Sequence, residues 1–117
     1  NCIVTQVLPS YHNSKLPVVA EYISALKKYF PTDSPNYVSF EGFVNGKVLV
    51  EGIKRAGKDL TREKFIAAIE SIKGDQIIKG LKIEYGADDH SGIESVYITQ
   101  IKDGKYIEIT DWTTFKK

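Results

Sequence analysis

The order of its hydrophobic periods restricts this 117-residue chain most. Residues 2–8, Cys-Ile-Val-Thr-Gln-Val-Leu, are rich in β-branched side chains and stop at Pro9, which predicts one strand. Three one-sided helix patterns follow without a strand between them. Val19, Tyr22, Ile23, Leu26, Tyr29 and Phe30 form the first stripe, opened by Pro17 and closed by Pro31. Phe40, Phe43, Val44, Val48, Leu49 and Ile53 form the second, predicted from about Ser39 to Ala56 with Gly57 as its left-handed stop. Phe65, Ile66, Ile69 and Ile72 form the third, with Thr61 as N-cap and Gly74 at its end. The period then changes. Leu81, Ile83 and Tyr85 alternate with polar residues, as do Val96 and Ile98. Asp103-Gly104 predicts a tight hairpin turn before a return strand over 105–110. A parallel sheet needs strands alternating with crossover helices. The order β-α-α-α-β-β-β lacks them, so the reading is α/β or α+β with complementary surface supplied from elsewhere.

Three glycines, Gly42, Gly46 and Gly52, interrupt the second helix. Each weakens a helix relative to alanine. Close packing against a neighbouring backbone is the expected reason, favoured over a direct ligand role. The tail, 111–117, carries Trp112 and Phe115 and is expected to dock.

Charge and cysteine usage exclude several classes. Sixteen basic against fifteen acidic residues leave a net charge of +1, without the clustered basic surface that nucleic acid requires. Lys54, Arg55, Lys58, Arg62 and Lys64 make a local basic stretch, but Glu51, Asp59 and Glu63 interrupt it, as on a solvated face. Cys2 is the single cysteine, so neither an internal disulfide nor a cysteine zinc site can form. No apolar run is long enough to cross a membrane. The sequence starts directly on a strand pattern with no leader, as expected of a secreted protein whose leader has been removed or of a domain cut from a longer chain, and the lack of methionine favours the second.

Four ordered stretches carry a family resemblance. They are Val4-Thr-Gln-Val-Leu-Pro-Ser10 with His12-Asn13; Val18 to Tyr29; Tyr37-Val-Ser-Phe-Glu-Gly-Phe43 running on to Lys64; and Gly80 to Gly92 with Val96-Tyr-Ile-Thr and Asp103-Gly-Lys105. Together these resemble the C-terminal portion of a type I periplasmic binding protein, of the branched-chain amino-acid ABC transporter type. The resemblance implies an α/β fragment of a periplasmic-binding-protein-like I fold: one strand, three helices, then a strand and a β-hairpin. It implies that residues 1–85 are part of one lobe, that 86–92 cross between lobes, and that 93–117 belong to the other. Its implied function is non-catalytic capture of an amino-acid-like solute for an ABC permease, in the periplasm or outside the cell. The implied partners are that ligand, the permease and the remaining segments of a two-lobed parent. Two rival readings stay open: the sensing ectodomain of a signalling receptor, and a homo-oligomeric structural module joined through unpaired strands.

The resemblance implies that the second helix begins near the ligand cleft, which makes its start the candidate ligand site. A helix start presents unpaired N–H groups and partial positive charge to a carboxylate. Tyr37, Ser39, Phe40 and Glu41 cluster there. Tyr37 or Phe40 would cover an apolar ligand side chain, and Glu41 would accept an ammonium group. The plainer alternative makes Ser39 the N-cap, Glu41 a partner of the helix dipole and Phe40 core. Asp88, Asp89 and His90 suggest a metal or acid–base site, but no second cluster completes a coordination shell, and Asp side chains shaping a turn are the favoured explanation. His12 either lines a hinge or is merely exposed. No metal or other cofactor is expected, and no nucleophile–base pair or phosphate loop suggests an enzyme.

Overall fold

The computed structural model describes residues 2–13, 15–74 and 76–114. Its elements are β1 (Cys2–Gln6), α1 (Pro17–Tyr29), α2 (Tyr37–Ala56), α3 (Arg62–Glu70), β2 (Tyr97–Lys102), β3 (Lys105–Glu108) and a 3₁₀ turn at Trp112–Thr114. The α/β character and the one-strand, three-helix, hairpin order match the sequence expectation. Phe115 lies outside the described residues.

Local chemistry sets the helix ends. Pro17 occupies the first turn of α1, and Lys27 and Lys28 lie in its last turn, against the negative end of the dipole. α2 begins two residues before the predicted Ser39. The extended Asn36 is its N-cap, and Asn36 Oδ1 accepts the Ser39 N–H at 2.9 Å. Gly57 closes α2 at φ 80°, in the left-handed region that favours glycine. Thr61 caps α3 as predicted, its hydroxyl oxygen accepting the Lys64 N–H at 3.2 Å. α3 stops at Glu70, short of the predicted Gly74. The Ser71 hydroxyl donates to Ala68 O at 2.6 Å, and Arg55 Nη1 donates to Ser71 O at 3.0 Å, so these carbonyls are taken by side chains. Ile72 is buried beyond the helix end.

Two further expectations change. Leu81 and Ile83 are buried, and Lys82 and Glu84, which follow each of them, are exposed, so the alternation is real. Yet residues 81–85 join no sheet. Ile83 N–H donates to Gly74 O at 2.9 Å and Tyr85 N–H to Ile72 O at 3.2 Å, which lays this extended run along 72–74. Alternation reports which side is buried, not which strand is the partner. Gly42 and Gly46 have no atom within 4 Å of where a Cβ would stand, so the close packing expected there is absent among the described residues. Gly52 does have it: a Cβ would meet Ile69 Cδ1 at 2.5 Å and Phe65 Cε2 at 2.8 Å across the α2–α3 contact.

The sheet is antiparallel, in the order β1-β2-β3. Cys2 pairs with Ile101 and Gln6 with Tyr97; Thr99 pairs with Glu108. Asp103 (φ 50°) and Gly104 (φ 72°) make the predicted turn. The sheet takes β1 from the start of the chain and β2 and β3 from its end, with β1 and β3 at its two edges. The hydrophobic core lies elsewhere. Leu8, Val18, Val19, Tyr22, Leu26, Phe40, Val44, Ile72, Ile78, Leu81 and Ile83 form one buried cluster, and no sheet residue belongs to it. The radius of gyration is 16.5 Å and the extents are 55 × 36 × 21 Å. A compact chain of this length has a radius of roughly 13 Å. The helical body and the sheet thus stand side by side instead of sharing one core.

Candidate ligand-binding site

The first turn of α2 is fixed by a buried tyrosine on α1. Tyr22 is 2% exposed, and its hydroxyl is 2.6 Å from Ser39 Oγ. The same oxygen accepts the Asn36 N–H at 3.1 Å and donates toward Asn36 O at 3.3 Å. One hydroxyl thus ties α1 to the cap and the first turn of α2. Sequence reasoning placed Tyr22 in the α1 stripe but could not see that its polar end reaches Asn36, 14 residues away.

The four predicted residues part company here. Phe40 is 0% exposed and packs on Tyr22, with ring centroids 4.8 Å apart. It is core. Ser39 is half-buried and its hydroxyl is committed to Tyr22, while Asn36, not Ser39, is the N-cap. Tyr37 points toward the sheet. Its ring meets Tyr11 edge-on at 4.9 Å and Tyr106 of β3 edge-on at 5.5 Å. The Tyr37 hydroxyl is shut off from solvent with no hydrogen-bond partner among the described residues. Burial pushes its pKa above 10.0; the Ser10 side chain works against the rise without completing a hydrogen bond, and Tyr11, Glu108 and Tyr106 add to it. Tyr11 and Tyr106 went unnoticed in the sequence, since neither sits in a motif and only the fold brings them to Tyr37.

Glu41 alone of the four is exposed. It stands one helical turn beyond Tyr37, on the rim of an open depression of about 230 Å³. Val7, Leu8, Val44, Val48, Ile83 and Ile93 supply its apolar wall, and Asn45 lies beside Glu41. Ligand pockets usually measure about 300–1,000 Å³ and enclose most of the ligand. This depression is smaller and open, as one side of a cleft would be. An unshielded carboxylate beside an aliphatic wall suits an ammonium group carried on an apolar skeleton.

The other sequence candidates are structural. Asp89 Oδ1 accepts the Ser91 N–H at 2.8 Å, and Gly86 and Asp89 form a backbone bridge, so this aspartate shapes a turn. His90 Nε2 lies 3.1 Å from Glu70 Oε1. No group of three His, Cys, Asp or Glu side chains that could hold a metal occurs among the described residues. His12 is exposed and stacks on Tyr11 with centroids 4.3 Å apart. In the basic stretch, Arg55 pairs with Glu51 at 2.8 Å and Lys64 lies 3.9 Å from Asp59. Among the described residues no helix is long and apolar enough to cross a membrane.

Comparison with known proteins adds three findings. A family model described as periplasmic binding protein matches residues 3–105. The crystal structure of a possible leucine/isoleucine/valine-binding protein from Rhodopirellula baltica SH 1 superposes with a TM-score of 0.81 at 29% identity, covering 92% of this chain and 29% of that one. A substrate-binding periplasmic protein from Ralstonia solanacearum superposes with a TM-score of 0.75 at 27% identity, covering 91% of this chain and 31% of that one. The chain therefore spans less than a third of the length of either solved relative. No protein of curated function matches it.

Proposed function

The chain belongs to the type I periplasmic binding proteins, and from that premise we propose that it forms one part of the cleft of a solute-binding protein that captures an amino-acid-like compound for an ABC permease. The observation that carries the reading is Glu41: an exposed carboxylate on the rim of an apolar depression just inside the start of α2. Glu41 accepts the ligand's ammonium group, and the wall around Val44 and Val48 takes its aliphatic side chain. Tyr37, Ser39 and Phe40 hold the first turn in place, because their side chains are engaged with Tyr106, Tyr22 and the core. Capture is non-catalytic and takes place in the periplasm or outside the cell. Likeness to a possible leucine/isoleucine/valine-binding protein supports a branched aliphatic ligand.

Calorimetry on the full-length protein with leucine, isoleucine and valine tests this. A hydrogen bond to a charged group contributes about 1.5–3 kcal/mol, so Glu41→Gln should weaken binding by roughly 10- to 150-fold. Unchanged affinity in both Glu41→Gln and Glu41→Ala rejects the site. Failure of the wild-type protein to bind any amino acid rejects the function. Residues 1–117 by themselves should bind far more weakly than the full-length protein, since a half-open depression leaves much of a ligand in water.

A second reading rests on the outer face of the sheet. Ile3 and Ile107 are exposed there, in line across the sheet through Gln100. In the two-lobed reading the remaining segments of the protein cover this face; in a self-assembling module a second copy does. A concentration-dependent dimer of the full-length protein in light scattering would favour the module.

A further inference from the structure

Asparagine or aspartate directly precedes glycine at two places in this chain, Asn45-Gly46 and Asp103-Gly104. Glycine carries no Cβ, so its amide nitrogen is left open to the side-chain carbonyl carbon of the residue before it. The fold treats the two pairs in opposite ways.

Asn45-Gly46 lies in the middle of α2. There the main chain is held in the helical ladder, and closing a ring from Gly46 N onto the Asn45 side chain would require Asn45 to leave the helical ψ and break bonds on both sides. Asp103-Gly104 lies between β2 and β3, beyond the last ladder pair, Lys102 with Lys105. Both residues are exposed. Among the described residues the Gly104 N–H has no hydrogen-bond partner, and the Asp103 carboxylate has neither a hydrogen bond nor an ion pair. A Cβ at Gly104 would meet nothing within 4 Å, so no packing opposes movement of the turn. Asp103 is also the one non-glycine residue at positive φ, 50°, among the described residues, a conformation that side chains other than those of Asn and Asp seldom adopt.

We propose that Asp103 is a site of spontaneous isoaspartate formation in the folded protein, and that α2 protects Asn45 from the equivalent reaction. The Gly104 nitrogen attacks Cγ of the neutral Asp103 carboxyl. A C–N bond forms, the bond from Cγ to the hydroxyl oxygen breaks, and the amide proton leaves with that hydroxyl as water. Water then adds to the five-membered imide. Cleavage of the N–Cγ bond restores aspartate. Cleavage of the bond between N and the main-chain carbonyl carbon leaves the chain running through Cβ and Cγ, with a free α-carboxylate. Water is the only co-reactant, and mass and net charge are unchanged. The added Cβ lengthens the main chain inside the two-residue turn that sets the Lys102–Lys105 register. The next residue, Tyr106, stands against Tyr37, so the change falls where β3 meets the start of α2. This site is independent of the solute reading.

Peptide mapping of the full-length protein, kept folded for weeks in mildly acidic buffer, tests it. Chymotryptic cleavage after Tyr97 and Tyr106 releases 98–106. A second peak of identical mass for this peptide should grow with time and accept a methyl group from an isoaspartyl methyltransferase. The peptide carrying Asn45 should show no deamidation. Gly104→Asn, a residue that tolerates positive φ, keeps the turn and should slow the growth severalfold. Asp103→Gly should abolish the second peak. Amide protection in β3 should fall as the parent ages and stay constant in Asp103→Gly, while protection in α2 and α3 holds in both. Absence of the second peak in the folded protein overturns the proposal, and its appearance in a urea-unfolded sample would then place the protection in the turn. Deamidation of Asn45 in the folded protein at the pace of the Asp103 change overturns the distinction between helix and turn.

Discussion

The three glycines of α2 permit a test with opposite signs inside one helix. Replacing a mid-helix glycine by alanine stabilises a helix by about 0.8–1.0 kcal/mol, because alanine loses less backbone entropy. At Gly46 nothing within 4 Å opposes the new methyl group. Gly46→Ala should therefore raise the stability of this chain by about 1 kcal/mol, and Gly42→Ala by a similar amount. At Gly52 the same methyl would stand 2.5 Å from Ile69 Cδ1, 3.2 Å from Ile69 Cγ1 and 2.8 Å from Phe65 Cε2. Both side chains are in the α2–α3 contact, and overpacking of this kind costs about 1–3 kcal/mol. Subtracting the helix gain leaves Gly52→Ala destabilising by roughly 0–2 kcal/mol. The two variants should then differ by about 1–3 kcal/mol in urea unfolding of the 117-residue chain, with unchanged slope. A Gly46→Ala chain less stable than the Gly52→Ala chain would refute the reasoning. The same pair in the full-length protein carries more information. If Gly46→Ala becomes destabilising there, the remaining segments press a backbone onto α2, which is the role the sequence suggested for that glycine.

Other expectations follow from single contacts. Tyr22→Phe keeps the ring in the core but leaves the Asn36 N–H and Ser39 hydroxyl without their partner, so it should cost about 1–3 kcal/mol in denaturant unfolding. Phe40→Ala, at a fully buried position against Tyr22, should cost about 3–5 kcal/mol and lower the melting temperature far more than Glu41→Ala, which alters only an exposed side chain. Tyr37 and Tyr97 both have pKa values raised above 10.0, Tyr37 chiefly by burial and Tyr97 by burial and then Glu108. The folded state thus holds these protons more tightly than the unfolded chain. The stabilisation is fully present below pH 10.0 and is lost as pH rises through the raised values, so alkaline unfolding followed at 295 nm should move to higher pH in Tyr37→Phe. Asp111 is the opposite case: the Thr113 hydroxyl and N–H hold its carboxyl below 3.8, so its contribution is present above that value and fades as pH falls through the lowered one.

Much of the fold was legible in the sequence because it rests on local rules. Pro17, Gly57 and Thr61 mark helix ends through their own backbone and side-chain chemistry, and Asp103-Gly104 makes its turn by tolerating positive φ. The one-sided stripes located the core-facing residues Val19, Tyr22, Leu26, Phe40 and Val44 correctly, since periodicity follows from helix geometry alone. Legibility failed where two chemically similar solutions compete. Asn36 and Ser39 are both good caps three residues apart, and the choice falls to Asn36 because Tyr22 engages Ser39 Oγ and the Asn36 backbone together.

The sequence by itself determined the elements, their order and the one-sidedness that leaves them needing further surface, because propensity, capping and hydrophobic period act over a few residues. Tertiary structure alone decided which strand β1 would join, that residues 81–85 would lie along 72–74 instead of in the sheet, and that Tyr11, Tyr37 and Tyr106 would converge. It also left Glu41 as the one predicted site residue open to solvent. These are contacts between residues up to about a hundred positions apart. Loop closure, core packing and backbone pairing settle such contacts jointly, and no local pattern encodes the outcome.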